Sequence, residues 1–323
     1  MGLWEKVTAP DTSLFFKKND PNDVKLGETV LHQQDDYQLA DVVLIGLPQD
    51  EGVRRNGGRV GAKDAPDAIR QALYKLVAIR GLNFFDIGNS EIFSTLEETH
   101  ANHQVVIKQL LEDGKIIVVL GGGNDTSYPD CSALSNEANK NVLAFNIDAH
   151  FDIRADSPRN SGTPYRQLLD EGLIHPQNFY EIAYQSFANS PTYIDYLKDK
   201  GVVHHTLKTV HDIGLEKLLG DILAQHDNQS VFWGLDMDVV RAADAPAVSA
   251  VNPTGLTGEE FASIGRIAGK QRNTRIFEIY RSIENGAFEK VEAVYDNMMN
   301  VFEIQHQDLS RAQKAGFAVI KKK

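Results

Sequence analysis

The stretch Val142-Leu143-Ala144-Phe145-Asn146-Ile147-Asp148-Ala149-His150-Phe151-Asp152 runs an apolar segment straight into two aspartates and a histidine. A strand that is apolar on both faces belongs inside a parallel sheet covered by helices. The same pattern recurs at Val231-Phe232-Trp233-Gly234-Leu235-Asp236-Met237-Asp238. Carboxylates at the ends of buried strands are costly unless they are paired or bind a metal. In extended backbone, residues i, i+2 and i+4 point the same way. Asp148, His150 and Asp152 are therefore expected to converge, and Asp236 with Asp238. Oxygen-rich donors with one imidazole suit a hard or borderline divalent cation, manganese foremost. Five ligands exceed what one ion needs, so the pattern predicts a two-metal site. A single Asp-x-Asp after a strand more often caps a helix or closes a turn. It is the recurrence at two buried strand ends that favours metal.

Outward from these stretches, strand candidates alternate with helical patterns. The strands are expected at Asp41–Leu47, Leu82–Ile87, Lys115–Leu120, Val142–Ile147, Asn178–Ala183, Gly201–His204, Ser230–Leu235 and Arg275–Tyr280. Helical periodicity marks Ala65–Val77, Leu96–Glu112, Leu215–Gln225, Gly258–Gly269 and Glu284–Glu303. Such alternation predicts a single-domain, three-layer α/β/α sandwich around a mostly parallel sheet of about eight strands. No repeat or linker divides residues 1–323, and the polar opening over 1–38 is expected to be a peripheral arm. Ligands in such sheets bind beyond the carboxyl ends of the strands, where both aspartate clusters fall. A third strand end, Gly121-Gly122-Gly123-Asn124-Asp125-Thr126-Ser127, lets backbone approach closely. It lacks the Gly-Lys-Ser/Thr of a phosphate loop.

Composition narrows the partners. A formal net charge of -12 and the lack of a basic stripe argue against nucleic acid. No run is long enough to span a membrane and the first residues lack a signal peptide's apolar core, so a cytoplasmic protein is expected. The one cysteine, Cys131, excludes an intrachain disulfide and a Cys-based zinc site.

Taken in order, Gly121-Gly122-Gly123-Asn124, Asp148-Ala149-His150-Phe151-Asp152 and Asp236-Met237-Asp238 resemble the metal motifs of the ureohydrolase superfamily of arginase, agmatinase and formimidoylglutamase. The resemblance covers about Asp41 to Phe302. The segment Asp50–Ala62 and the stretches Ser161–Tyr165 and Ala245–Ala250 are similar to the formimidoylglutamase branch. The resemblance implies an arginase-like fold and two Mn2+ per chain. The ligands would be Asp148, His150, Asp152, Asp236, Asp238 and Asn124, with Asp148 and Asp236 bridging. Where the family carries a ligand histidine, this chain has Asn124, a poorer ligand than imidazole.

The implied reaction is hydrolysis of a linear amidine, formimidoylglutamate to glutamate and formamide, with hydroxide between two metals as nucleophile. Asp238 and His150 are implied as catalytic groups, and Glu278 as the carboxylate facing the amidine. A substrate with two carboxylates calls for arginine. Arg154, close after the second motif, and Arg59, Asn56 and Ser161 are the expected substrate contacts. Two alternatives stand beside this: a guanidino hydrolase of arginase or agmatinase type, and a metal-deficient, non-catalytic member of the family. A homo-oligomer is implied by the resemblance alone.

Overall fold

The computed structural model describes residues 2–280 apart from Arg80 and Ala247. One nine-stranded sheet organises them. Its strands are β1 (Val7–Thr8), β2 (Val42–Gly46), β3 (Phe84–Ser90), β4 (Ile116–Leu120), β5 (Val142–Ile147), β6 (Phe179–Tyr184), β7 (Val203–Thr206), β8 (Ser230–Asp236) and β9 (Thr274–Tyr280). Their spatial order is β1-β3-β2-β4-β9-β8-β5-β6-β7. All neighbours run parallel except β1, which pairs antiparallel with β3.

The period-2 alternation of side chains divides each central strand between two apolar layers. Val42, Leu44, Leu143, Phe145 and Ile147 enter one core, and Val43, Ile45, Val142 and Ala144 enter the other. Helices cover both faces, which is why these strands read as unbroken apolar runs. The helix Leu96–Glu112 begins at a capping box, with Thr95 Oγ1 accepting from the Glu98 amide. The helix Gly258–Lys270 begins the same way at Thr257 and Glu260. The helix Ala65–Leu73 is fixed to β3 by a buried ion pair. Arg70 Nε donates to Asp86 Oδ2 at 2.8 Å and Nη2 to Oδ1 at 3.0 Å, both side chains fully buried.

Several boundaries differ from the sequence expectations. The ninth strand is β1, two residues with no apolar run to announce them. Its presence, and the burial of Phe15, Leu26, Val30 and Tyr37, anchor the largely exposed segment 2–38 to the core at those points. Polar residues between these anchors hid them. β3 and β7 lie two residues further along the chain than expected at their starts. The helix from Ala65 stops at Leu73 instead of Val77. Short helices Pro164–Asp170, Pro191–Lys200 and Leu207–Ile213 went unpredicted, being too brief for a clear 3.6-residue period. The expected helix Glu284–Glu303 lies outside the described residues. Among the described residues no helix is long and apolar enough to cross a membrane.

Candidate metal centre

β5 and β8 are neighbours in register, Ile147 opposite Leu235, so Asp148 and Asp236 leave the sheet side by side. Both then form the same local turn. Asp148 Oδ1 accepts from the His150 amide at 2.8 Å, and Asp236 Oδ1 accepts from the Asp238 amide at 2.8 Å. These are Asx turns, in which a short acidic side chain bonds the backbone two residues on. Asp152 sits at φ +48°, a left-handed conformation that aspartate tolerates better than most residues. Convergence is thus achieved by turns, not by an extended pleat. The expected alternation fails because the strands end at Ile147 and Asp236, before the clusters are complete.

The turns assemble two groups of donors. Asp148, His150 and Asp238 form one, and Asp148, Asp152 and Asp236 the other, the donor atoms of each lying within 4.8 Å of one another. Asp148 belongs to both and Asp236 to the second. His150 Nδ1 stands 3.1 Å from Asp238 Oδ2 and 3.4 Å from Asp148 Oδ1. All four aspartates are buried, while the His150 side chain keeps 23% of its exposure. Four buried carboxylates packed together repel unless cations lie among them. Hard oxygen donors plus one imidazole fit divalent manganese, and the shared Asp148 fits a pair of ions.

Asn124 reaches the second group from the end of β4. Gly121 and Gly122 adopt φ +66° and +91°, and a Cβ on Gly122 would stand 2.7 Å from the Leu47 carbonyl oxygen. Only glycine allows this close turn. Fully buried Asn124 donates from Nδ2 to Asp152 Oδ2 and lies 3.4 Å from Asp148 Oδ2. Its Oδ1 accepts from Ser127 Oγ at 3.1 Å. Ser127 Oγ is also 3.1 Å from Glu278 Oε2. Glu278 is fully buried and is joined to Asn124 through Ser127; its Oε1 has no hydrogen-bond partner among the described residues. Burial, then the nearby Asp130, pushes its carboxyl well above the usual range, with the Ser127 bond opposing.

A polar chain behind the aspartates escaped the sequence reading. Tyr165 lies 3.3 Å from Ser127 Oγ and 3.2 Å from the Tyr280 hydroxyl, which donates to Asn146 Oδ1 at 3.1 Å. Asn146 Nδ2 donates to Glu181 at 2.8 Å. Asn146 and Glu181 each interrupt an apolar strand, and that interruption was the available signal. Two further histidines, spaced i, i+3 on one helix face, pair with acids nearby: His100 with Asp125 at 2.8 Å and His103 with Asp130 at 2.8 Å.

A cavity of about 280 Å³ opens beside His150 and Asp152, lined also by Arg154, Asn189, Ser190 and Tyr193. Asn189 ties its outer wall to the metal motif, accepting from the Phe151 amide at 3.0 Å and donating to the Ala149 carbonyl at 2.8 Å. Of the expected substrate contacts, Arg154 lines this cavity. Asn56 Nδ2 donates to Ser161 Oγ at 3.1 Å. Gly162 brings this pair beside Arg154: a Cβ there would stand 2.8 Å from Arg154 Cδ and 3.2 Å from Asn56 Nδ2. Arg59 instead places Nη2 on the Val248 carbonyl at 2.6 Å. Arg54 pairs with Glu51, and Arg55 with Glu51 and Glu97.

Known proteins give this geometry a context. A formimidoylglutamase of Streptococcus gordonii is 32% identical over 275 residues, covering 79% of this chain and 80% of the relative. The formiminoglutamase of Trypanosoma cruzi, solved with Mn2+2, superposes with a TM-score of 0.81 at 29% identity, over 87% of this chain and 99% of that one. A variant of that enzyme with one asparagine changed to histidine, also with Mn2+2, gives 0.82 at 28% identity, with the same coverage. The family model described as Arginase family matches residues 40–281. This chain belongs to the arginase family.

Proposed function

We propose that the chain is a metal-dependent hydrolase of linear amidines, converting formimidoylglutamate and water to glutamate and formamide. The observation that carries this reading is the sharing of Asp148 between two donor groups at the carboxyl end of the sheet. Asp148, His150 and Asp238 would hold one Mn2+; Asp148, Asp152 and Asp236, with Asn124, would hold the other. Two such ions, when bound, would supply a water acidic enough to serve as nucleophile near neutral pH. The names of the relatives, formimidoylglutamase and formiminoglutamase, support the substrate. The presence of Mn2+2 in the protozoan enzyme, with and without an asparagine-to-histidine change, supports the metal.

The chain's own groups divide the remaining work. Asp238 and His150, 3.1 Å apart, would carry a proton to the leaving nitrogen. Arg154 offers its guanidinium to a substrate carboxylate from the cavity wall. Asn56 and Ser161 buttress that wall next to Gly162. Arg59 contributes by holding the segment around Val248. Glu278 would supply the carboxylate that faces the amidine, with its Oε2 3.1 Å from Ser127 Oγ.

The test is product analysis on protein purified without chelator. Formamide release from formimidoylglutamate that follows added manganese supports the proposal. Urea release from arginine or agmatine, with no formamide, would replace it by a guanidino hydrolase. No turnover and no bound metal would leave a non-catalytic member.

A further inference from the structure

The carboxamide of Asn189 lies between the cavity and the backbone of the first metal loop. Its Oδ1 accepts from the Phe151 amide at 3.0 Å. Its Nδ2 donates to the carbonyls of Ala149 at 2.8 Å and Gln185 at 2.9 Å. All three partners are backbone groups with fixed donor or acceptor roles, so the orientation of this amide is determined. Turned over, it would set N–H against N–H and oxygen against two carbonyl oxygens.

The Ala149 carbonyl and the Phe151 amide belong to the two peptide groups that flank His150. The sheet fixes the start of the loop, where the Asp148 amide donates to the Ile182 carbonyl at 3.1 Å and the Gln185 amide to the Ala149 carbonyl at 3.0 Å. Past that point, Asn189 bonds the backbone on both sides of His150, between Asp148 and Asp152. Those three residues supply two donors to each metal group. Four buried carboxylates repel one another until cations arrive. A loop free to splay must be gathered again when ions bind, and holding it in place removes that cost.

Asn189 also lines the cavity beside Arg154, where it looks like a substrate contact. A substrate carboxylate needs donors, and both N–H groups of Asn189 are spent on carbonyls. We infer that Asn189 is a positioning residue that holds the loop of Asp148, His150 and Asp152 in its ligating shape, and so sets manganese affinity at both groups without gripping the substrate. The inference rests on the metal-dependent reading above.

The experiment is a calorimetric manganese titration of the wild type, Asn189→Leu, Asn189→Ala and Tyr193→Phe. Thermal unfolding with and without manganese and formimidoylglutamate kinetics over the same manganese range accompany it. Leucine keeps the branched shape of asparagine and makes none of its hydrogen bonds. Both Asn189 variants should bind both ions about tenfold or more weakly, and manganese should raise their unfolding midpoints less than it raises that of the wild type. At saturating manganese their KM should return to the wild-type value, whereas a lost substrate contact would keep it raised. Tyr193→Phe alters the same cavity wall away from the loop and should bind manganese like wild type.

Unchanged manganese affinity in Asn189→Leu and Asn189→Ala overturns the inference, whatever happens to the unfolding midpoint. So does a KM that stays raised at saturating manganese, or an equal loss of affinity in Tyr193→Phe. Failure of both Asn189 variants to fold would assign the residue to the fold instead. Two ions in the wild type with no Asn189 effect would sink this inference and leave the proposed function standing. No ions in the wild type would sink the proposed function itself.

Discussion

His150 Nδ1 lies 3.1 Å from Asp238 Oδ2, a contact between two strand ends that are far apart in sequence and adjacent in the sheet. Together with the shared Asp148, this contact divides the five acidic and imidazole donors into two overlapping sets. The division makes their substitutions distinguishable.

Asp148→Ala should remove both manganese ions, since Asp148 belongs to both sets. Asp152→Ala should cost one and leave the set of Asp148, His150 and Asp238, while Asp238→Ala should do the reverse. Metal analysis after gel filtration reads the stoichiometries directly. Unchanged manganese in Asp148→Ala would refute the assignment.

Arg154→Ala should raise KM for formimidoylglutamate with a smaller change in kcat. A charged hydrogen bond is worth about 1.5–3 kcal/mol, so the increase should be roughly tenfold or more. Amidines without carboxylates should be nearly indifferent. An equal loss for every substrate would make Arg154 a support for the loop that reaches Gly162.

Asn124→His should tighten manganese at the second group, because imidazole is a better ligand than a carboxamide. Titration with simultaneous measurement of formamide checks whether turnover rises with occupancy. No gain in affinity would show that Asn124 already completes that shell adequately.

Glu181 makes a prediction about pH. Burial pushes its carboxyl well above the usual range, and the Asn146 bond only partly offsets this. Between its ordinary value of 4.5 and the raised one, the folded state holds a proton that the unfolded state has lost. Stability therefore falls as pH rises through that interval. Glu181→Gln, which still accepts from Asn146, should raise the unfolding midpoint at pH 8 by on the order of a few °C. The gain should vanish below about pH 4, where the carboxyl is protonated in both states. A gain independent of pH would contradict the ionisation argument.

Arg70→Ala should destabilise by about 3–5 kcal/mol, because it leaves Asp86 charged and buried without its partner. Denaturant unfolding measures this. A loss under about 1 kcal/mol would mean that Asp86 protonates cheaply beside Tyr74.

The parallel sheet and the metal clusters were legible because they depend on local pattern: apolar runs over Val142–Ile147 and Ser230–Leu235, then acids. What the sequence hid depends on pairing across the chain. Nothing near Ser127 signals Glu278, and nothing near His103 signals Asp130. Arg59 reads from the sequence as a substrate contact, and its partner, the Val248 carbonyl, comes from a distant segment that the sequence does not link to it. β1 could not be foreseen from two residues that gain their conformation only by docking against β3.

The strand order carries a consequence for synthesis on the ribosome. β9 is the last described strand to emerge, yet it lies in the middle of the sheet between β4 and β8. Until residues 274–280 are released, those two strands present unpaired edges, and the nascent chain is split into two half-sheets. Pairing that spans so much sequence is slow, and open edges invite association with other chains. A chain cut short before β9 should therefore aggregate rather than persist as a smaller folded protein, and cells making the full protein have reason to shield it with chaperones until β9 inserts.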